Sequence, residues 1–159
     1  MQPRNNAEEL IGFADEIGLF YEDLGHPRIW GRVLGWLLVC DPELQSAEDL
    51  AVALHSSRGS ISMATRSLIR VGLVERQAVR GHRRTYFRIR PGTWTSVFEQ
   101  QTQIAKRMRG LAERGLGLLN GAPAERRRRL EEMYELTTFY ERETHALLAR
   151  WYRERHQEV

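Results

Sequence analysis

At 159 residues, 42% hydrophobic and 28% charged, the chain suits one compact domain, or one domain with a helical extension. Its single cysteine, Cys40, excludes an intrachain disulfide and a zinc site built on several thiolates, and its five histidines show no metal-ligand spacing. The formal charge is only +3, yet residues 58–90 carry nine arginines against Glu75 alone, whereas residues 1–25 carry six acidic side chains against Arg4.

A basic block inside a nearly neutral chain points to a polyanionic partner for that block. Lys106 is the only lysine, a bias that base composition of a genome can produce, so the positions of the arginines weigh more than their number. The first residues, MQPRNNAEEL, hold no apolar signal core. The longest apolar run, VLGWLLVC (33–40), lies between Arg32 and Asp41 and is too short to span a bilayer. A cytoplasmic protein is expected.

In chain order, Asn6-x-x-Glu9 reads as a capping box opening a first helix. Leu10, Phe13, Ile17, Phe20/Tyr21 and Leu24 continue it at helical spacing, and Gly25 ends it. Pro27 fits the first turn of a second helix through Trp30, Val33, Leu34, Leu37 and Leu38, which Asp41-Pro42 closes. Ser46 caps a third helix, AEDLAVALH, with Leu50, Ala51 and Leu54 as its buried positions.

Ser57 caps a fourth helix. Ile61, Ala64, Leu68 and Val71 share one of its faces, while Arg58, Ser62, Arg66 and Arg70 step by four along another, and Gly72 stops it. Two β-prone runs, LVERQAV (73–79) and RTYFRIR (84–90), flank a Gly-containing polar turn and read as a hairpin. Beyond Pro91-Gly92, Trp94, Val97/Phe98, Ile104, Met108 and Leu111 stripe a long helix, and Pro123 starts another, striped from Leu130 to Trp151. The charge run ERRRRLEE (125–132) reads as solvated helix.

The predicted fold is mainly α with a small β-hairpin wing: a winged helix-turn-helix with terminal helices. The Ile61/Ala64/Leu68 stripe packs on Leu50/Ala51/Leu54 and sets the angle between the two helices. The opposite face is left for a DNA major groove. Arginine there can bond guanine O6/N7 or a phosphate, and serine does either at shorter reach. Ser57 and the Gly59 amide, at the helix N-terminus, can approach a phosphate. At the hairpin tip, Arg80, His82, Arg83 and Arg84 would follow the minor groove or backbone. Two other readings stand beside this one: an ordinary solvated helix, and a winged-helix module that bridges proteins without touching DNA. No Ser/His/Asp set, paired-acid motif or phosphate loop stands out. The expectation is therefore no enzyme, no cofactor and no metal.

GRVLGWLLVCDP (31–42), SRGSISMATRSLIRVGLVER (57–76) and YFRIRPGTW (86–94), in this order of elements, resemble the MarR superfamily of bacterial transcription regulators, and more narrowly its glycine-betaine-regulator-like (GbsR-like) branch. The resemblance covers residues 10–100 and extends to the C-terminal helices by pattern alone. It implies that Ser57, Arg58, Ser60, Ser62 and Arg66 lie on the DNA-reading helix and Arg80 to Arg84 on the wing; Arg70 joins the candidates by its place on the same helix face. His55 stands where many such turns place a left-handed glycine, so a slightly different turn is expected.

The resemblance further implies a homodimeric repressor on a pseudo-palindromic operator, released by a small-molecule effector. Residues 1–25 would be an N-terminal helix in the dimerisation region, 26–92 the DNA-binding domain, and 93–159 the C-terminal dimerisation region. Some relatives of the branch sense choline, and a quaternary ammonium needs an aromatic cage. Trp30, Trp36, Trp94 and Phe98 are the candidates, with ordinary core packing the favoured reading. Cys40 as a redox sensor stands against a buried inert thiol, which is favoured.

Overall fold

The computed structural model describes residues 3–81 and 83–156. It divides into two compact units, one ending at Thr93 and one beginning at Trp94.

In the first unit, helix α1 (Pro3–Asp23) packs along α2 (Arg28–Val39). Helix α1 starts at Pro3, so Asn6 lies inside it and is not its cap. A proline suits a first turn, where its missing N–H would have no partner. The two helices approach closely at Gly31 and Gly35. A Cβ at Gly31 would lie 2.6 Å from the Ile17 carbonyl oxygen, and one at Gly35 would lie 2.9 Å from the Ala14 Cα. Trp30, Val33, Leu34 and Leu37 then enter the core.

Next come β1 (Gln45–Ser46), α3 (Ala47–Ala53) and α4 (Arg58–Arg70). The α3 cap forms a capping box: Ser46 Oγ accepts from the Asp49 N–H at 3.2 Å, and Asp49 Oδ2 accepts from the Ser46 N–H at 2.8 Å. The Ser46 hydroxyl also donates to Asp49 Oδ2 at 2.7 Å, and this bond first, with that from the Ser46 N–H, holds the Asp49 carboxyl below its usual range. Leu50 and Leu54 are fully buried, whereas the third expected core position, Ala51, is half-buried.

Helices α1, α3 and α4 close in the same way. After α4, the Leu73 N–H donates to Leu68 O and the Gly72 N–H to Ile69 O, both at 3.0 Å, with Gly72 at φ +79. After α3, the Ser56 N–H reaches Ala51 O at 3.0 Å, and His55 takes the left-handed position at φ +47. The helix-turn-helix corner therefore keeps its left-handed geometry without a glycine.

Strands β2 (Val74–Ala78) and β3 (Thr85–Ile89) form the hairpin, with Arg76 opposite Phe87 and Ala78 opposite Thr85. Strand β1 pairs with the other edge of β3, giving the order β1-β3-β2. The hairpin expected from sequence thus sits in a three-stranded antiparallel sheet. Ile61, Ala64, Leu68, Leu73, Val74 and Phe87 join the α2 and α3 side chains in one core. Val71 does not: as the residue ending α4 it is 37% exposed, and the buried stripe is completed by Thr65, whose hydroxyl donates to Ile61 O at 2.9 Å.

The second unit pairs α5 (Thr93–Leu118, entering the unit at Trp94) with α6 (Ala124–His156). Three contacts set the pairing as antiparallel. Tyr152 Oη donates to Glu99 Oε1 at 3.0 Å, Arg109 Nε donates to Glu141 Oε2 at 2.9 Å, and a Cβ at Gly115 would meet the Leu130 side chain at 2.7 Å. Its buried positions are small: Ala105, Ala112 and Thr137. The apolar stripe of α5 lies elsewhere, with Trp94, Phe98, Ile104, Met108 and Leu111 all exposed. Alanine and glycine let the two helices come close, with Leu130 against Gly115, while the large stripe residues of α5 stay outside the pair.

Candidate nucleic-acid interface

The face of α4 opposite its buried stripe carries Arg58, Ser62, Arg66 and Arg70, all exposed. Ser57 caps the helix, its Oγ accepting from the Ser60 N–H at 3.1 Å and lying 2.9 Å from the Ser60 hydroxyl. Arg66 Nε donates to Ser62 O at 3.1 Å, so its stem runs back along its own helix. Arg70 occupies the last turn, where a cation is favoured by the helix dipole. Arg80, Arg83 and Arg84 are exposed in the loop between β2 and β3, beside Gly81 at φ +85. His82 lies outside the described residues.

Among the described residues, the expected DNA contacts line more than one hollow. Arg58, Ser62 and Arg84 share a hollow of about 390 Å³ with Ser46 and Glu48. There Glu48 of α3 pairs with both arginines: Oε1 lies 3.8 Å from Arg58 Nη2, and Oε2 lies 3.2 Å from Arg84 Nη2. Ser57 and Ser60 instead line a second open hollow, of about 510 Å³, with Arg28, Arg32 and Asp15.

Glu48, Arg28 and Arg32 were not singled out by the sequence. The spacing of Arg28 and Arg32 by four on one helix was a visible signal; nothing local marks Glu48. Arg88, in contrast, belongs to the sheet. Its Nε donates to Glu75 Oε1 at 2.8 Å, and Gln77 bonds the same oxygen at 2.9 Å. Both hydrogen bonds, that from Gln77 first, hold the Glu75 carboxyl below its usual range.

The four aromatic candidates are placed differently from one another. Trp30 is buried, stacked on His26 at 4.7 Å and edge-on to Tyr21 at 4.6 Å. Its indole N–H has no partner among the described residues. Trp36 donates from Nε1 to Gln45 Oε1 at 3.2 Å, beside β1. Trp94 and Phe98 are exposed on α5. Burial, with help from Glu43 and Asp41, pushes the Cys40 thiol up to about 11, away from a reactive thiolate. Among the described residues no group of three or more His, Cys, Asp or Glu side chains could hold a metal, and no helix is long and apolar enough to cross a membrane.

A core helix, two further helices joined by a tight turn, and a three-stranded sheet ending in a basic hairpin together define a winged helix-turn-helix. Residues 24–85 match the MarR family, and residues 92–155 match an MmpR5-like MarR family transcriptional regulator. The HTH-type transcriptional regulator MmpR5 of Mycobacterium tuberculosis is 43% identical over 143 residues, which span 90% of this chain and 87% of that one. A crystal structure of a transcriptional regulator is similar at a TM-score of 0.77 and 42% identity, covering 91% of this chain and 99% of that chain. The chain belongs to the MarR family of transcriptional regulators, a family of regulators and not of enzymes.

Proposed function

We propose that the chain is a sequence-specific double-stranded DNA-binding regulator in which α4 reads the major groove and the 79–84 loop lies on the neighbouring minor groove or backbone. One observation carries this reading. Helix α4 buries Ile61, Ala64 and Leu68 completely or nearly so, and turns Arg58, Ser62, Arg66 and Arg70 to solvent on the side that shares a hollow with the wing residue Arg84. Binding of this kind releases counterions, so affinity should fall steeply with salt. An electrophoretic shift of the gene's own upstream duplex, repeated across salt concentrations, tests it. A salt-dependent shift that resists mixed-sequence competitor supports the reading. No shift at low salt leaves the protein-bridging module as the account.

The regulator acts as a cytoplasmic homodimeric repressor released by a small effector. Residues 26–92 bind DNA, and residues 1–25 with 93–159 dimerise. The outward Trp94, Phe98, Ile104, Met108 and Leu111 of α5, with the exposed Phe13 and Phe20 of α1, support this, because apolar faces of that length favour a partner surface. A two-fold axis would set the two reading helices about 34–36 Å apart on a pseudo-palindromic operator. Light scattering at micromolar concentration tests the dimer, and a monomer there removes it. The GbsR-like placement rests on residues 31–42, 57–76 and 86–94, whereas residues 92–155 resemble an MmpR5-like regulator. Release of DNA by choline, lost on Trp→Leu changes at Trp30, Trp36 or Trp94, or on Phe98→Leu, favours the former.

A further inference from the structure

We propose that Glu48 is a specificity-determining residue: one carboxylate that pairs with Arg58 of the reading helix and Arg84 of the wing, directing Arg58 to base edges and withholding both from indiscriminate phosphate contact. The inference rests on the DNA reading proposed above.

The geometry is that of a fork. Glu48 stands in the first turn of α3, and each of its carboxylate oxygens faces a different guanidinium, Arg58 at 3.8 Å and Arg84 at 3.2 Å. The two arginines come from elements 26 residues apart in the chain, and the hollow between them is also lined by Ser62 of the reading helix.

A carboxylate in the first turn suits the α3 dipole, but the fold does not otherwise depend on this one. Asp49, not Glu48, closes the capping box, and Leu50 and Leu54 anchor α3 in the core. All three charged side chains are about half exposed or more, and ion pairs between such groups contribute little to stability. A negative charge on a face that meets a polyanion also weakens attraction to every phosphate.

Discrimination does account for it. Non-specific binding runs almost entirely on phosphate contacts, and each cation taken up by Glu48 is subtracted from that sum. Base reading requires an arginine fork held in one orientation toward guanine O6/N7. A carboxylate at the base of the fork supplies that hold, and it can itself accept from a cytosine N4 amino group. Glu48 therefore lowers the affinity for mixed sequence while sparing the affinity for the right one.

The test compares four proteins on two probes across a salt series. The proteins are the wild type, Glu48→Gln, Glu48→Asp and Arg58→Ala. The probes are the duplex that the wild type protects in the gene's own upstream region, and a mixed-sequence duplex of equal length. Glu48→Gln should bind the mixed duplex roughly tenfold more tightly, with a salt slope steeper by about one to two units as cations are freed. Its affinity for the protected duplex should be unchanged or lower, so the ratio of the two affinities falls. Glu48→Asp, which keeps the carboxylate, should restore most of that ratio. Unchanged thermal melting of Glu48→Gln, with the ratio lost, separates this role from a structural one.

An equal gain on both probes means that Glu48 acts as a bulk charge, and overturns the proposal. A silent Glu48→Gln beside an Arg58→Ala that loses the protected duplex overturns it too, while leaving the DNA-reading account standing. Silence in both variants removes that account as well.

Discussion

Arg32 and Ser56 are joined by a hydrogen bond of 3.3 Å, from the guanidinium Nη1 on α2 to the hydroxyl in the turn that precedes α4. The same guanidinium donates from Nε to the Asp15 carboxylate on α1. One side chain thus ties the first helix to the entry of the reading helix. Arg32→Leu breaks both bonds and leaves Asp15 without this partner. It should cost about 1–2 kcal/mol, since both groups are partly buried and charge-assisted bonds exceed neutral ones. Thermal unfolding reads this as a drop of a few degrees; an unchanged midpoint would show that the tie contributes nothing.

The exposed face of α4 should tolerate truncation without unfolding. Arg58→Ala and Arg66→Ala each remove an exposed side chain. Where the arginine contacts a base, specific binding weakens by about 1–3 kcal/mol, with melting within error of wild type. Retained operator affinity in both variants would remove α4 as the reading element.

The wing arginines should not be equivalent. Arg83 is exposed in the loop, whereas Arg84 is paired with Glu48 at 3.2 Å. Arg83→Ala should lower affinity for all sequences and flatten the salt slope by about 0.9. Arg84→Ala should change the slope less, because its charge is already compensated. Equal slopes in wild type and Arg83→Ala would mean that the loop points away from DNA.

At the helix-turn-helix corner, His55 holds φ +47, a conformation that disfavours residues with a Cβ. His55→Gly relieves that cost and should stabilise the fold by about 0.5–1 kcal/mol, less whatever glycine loses in chain entropy. Denaturant unfolding measures it. A destabilised variant would mean that the imidazole makes a contribution larger than the relief.

Much of the first unit was legible because its signals are local. Ser46 and Ser57 cap their helices where an N-terminal serine should, and Ile61, Ala64 and Leu68 bury at the spacing that places them together. What failed was tertiary. Gln45 and Ser46 are polar and only two residues long as a strand; they pair with Phe87 and Tyr86 forty residues on, and no local pattern announces that. Along α5, periodicity located an apolar stripe but not what it faces. The small Ala105 and Ala112 took the intramolecular contact, and the large residues were left outside. For the candidate interface, the exposed arginines of α4 could be read from their four-residue steps. The Glu48 fork could not, since it brings residues 48, 58 and 84 together only through the packing of three elements.

The most direct measurement is a footprint of the intact protein on its own upstream region, run beside the Arg58→Ala/Arg66→Ala double variant. The account predicts two protected major-groove segments on one face of the duplex, about one helical turn apart, in the wild type. The double variant, folded as judged by melting, should leave both segments open at the same concentration. Protection that is identical in the two proteins, or no protection by either at low salt, would contradict the claim that α4 reads DNA.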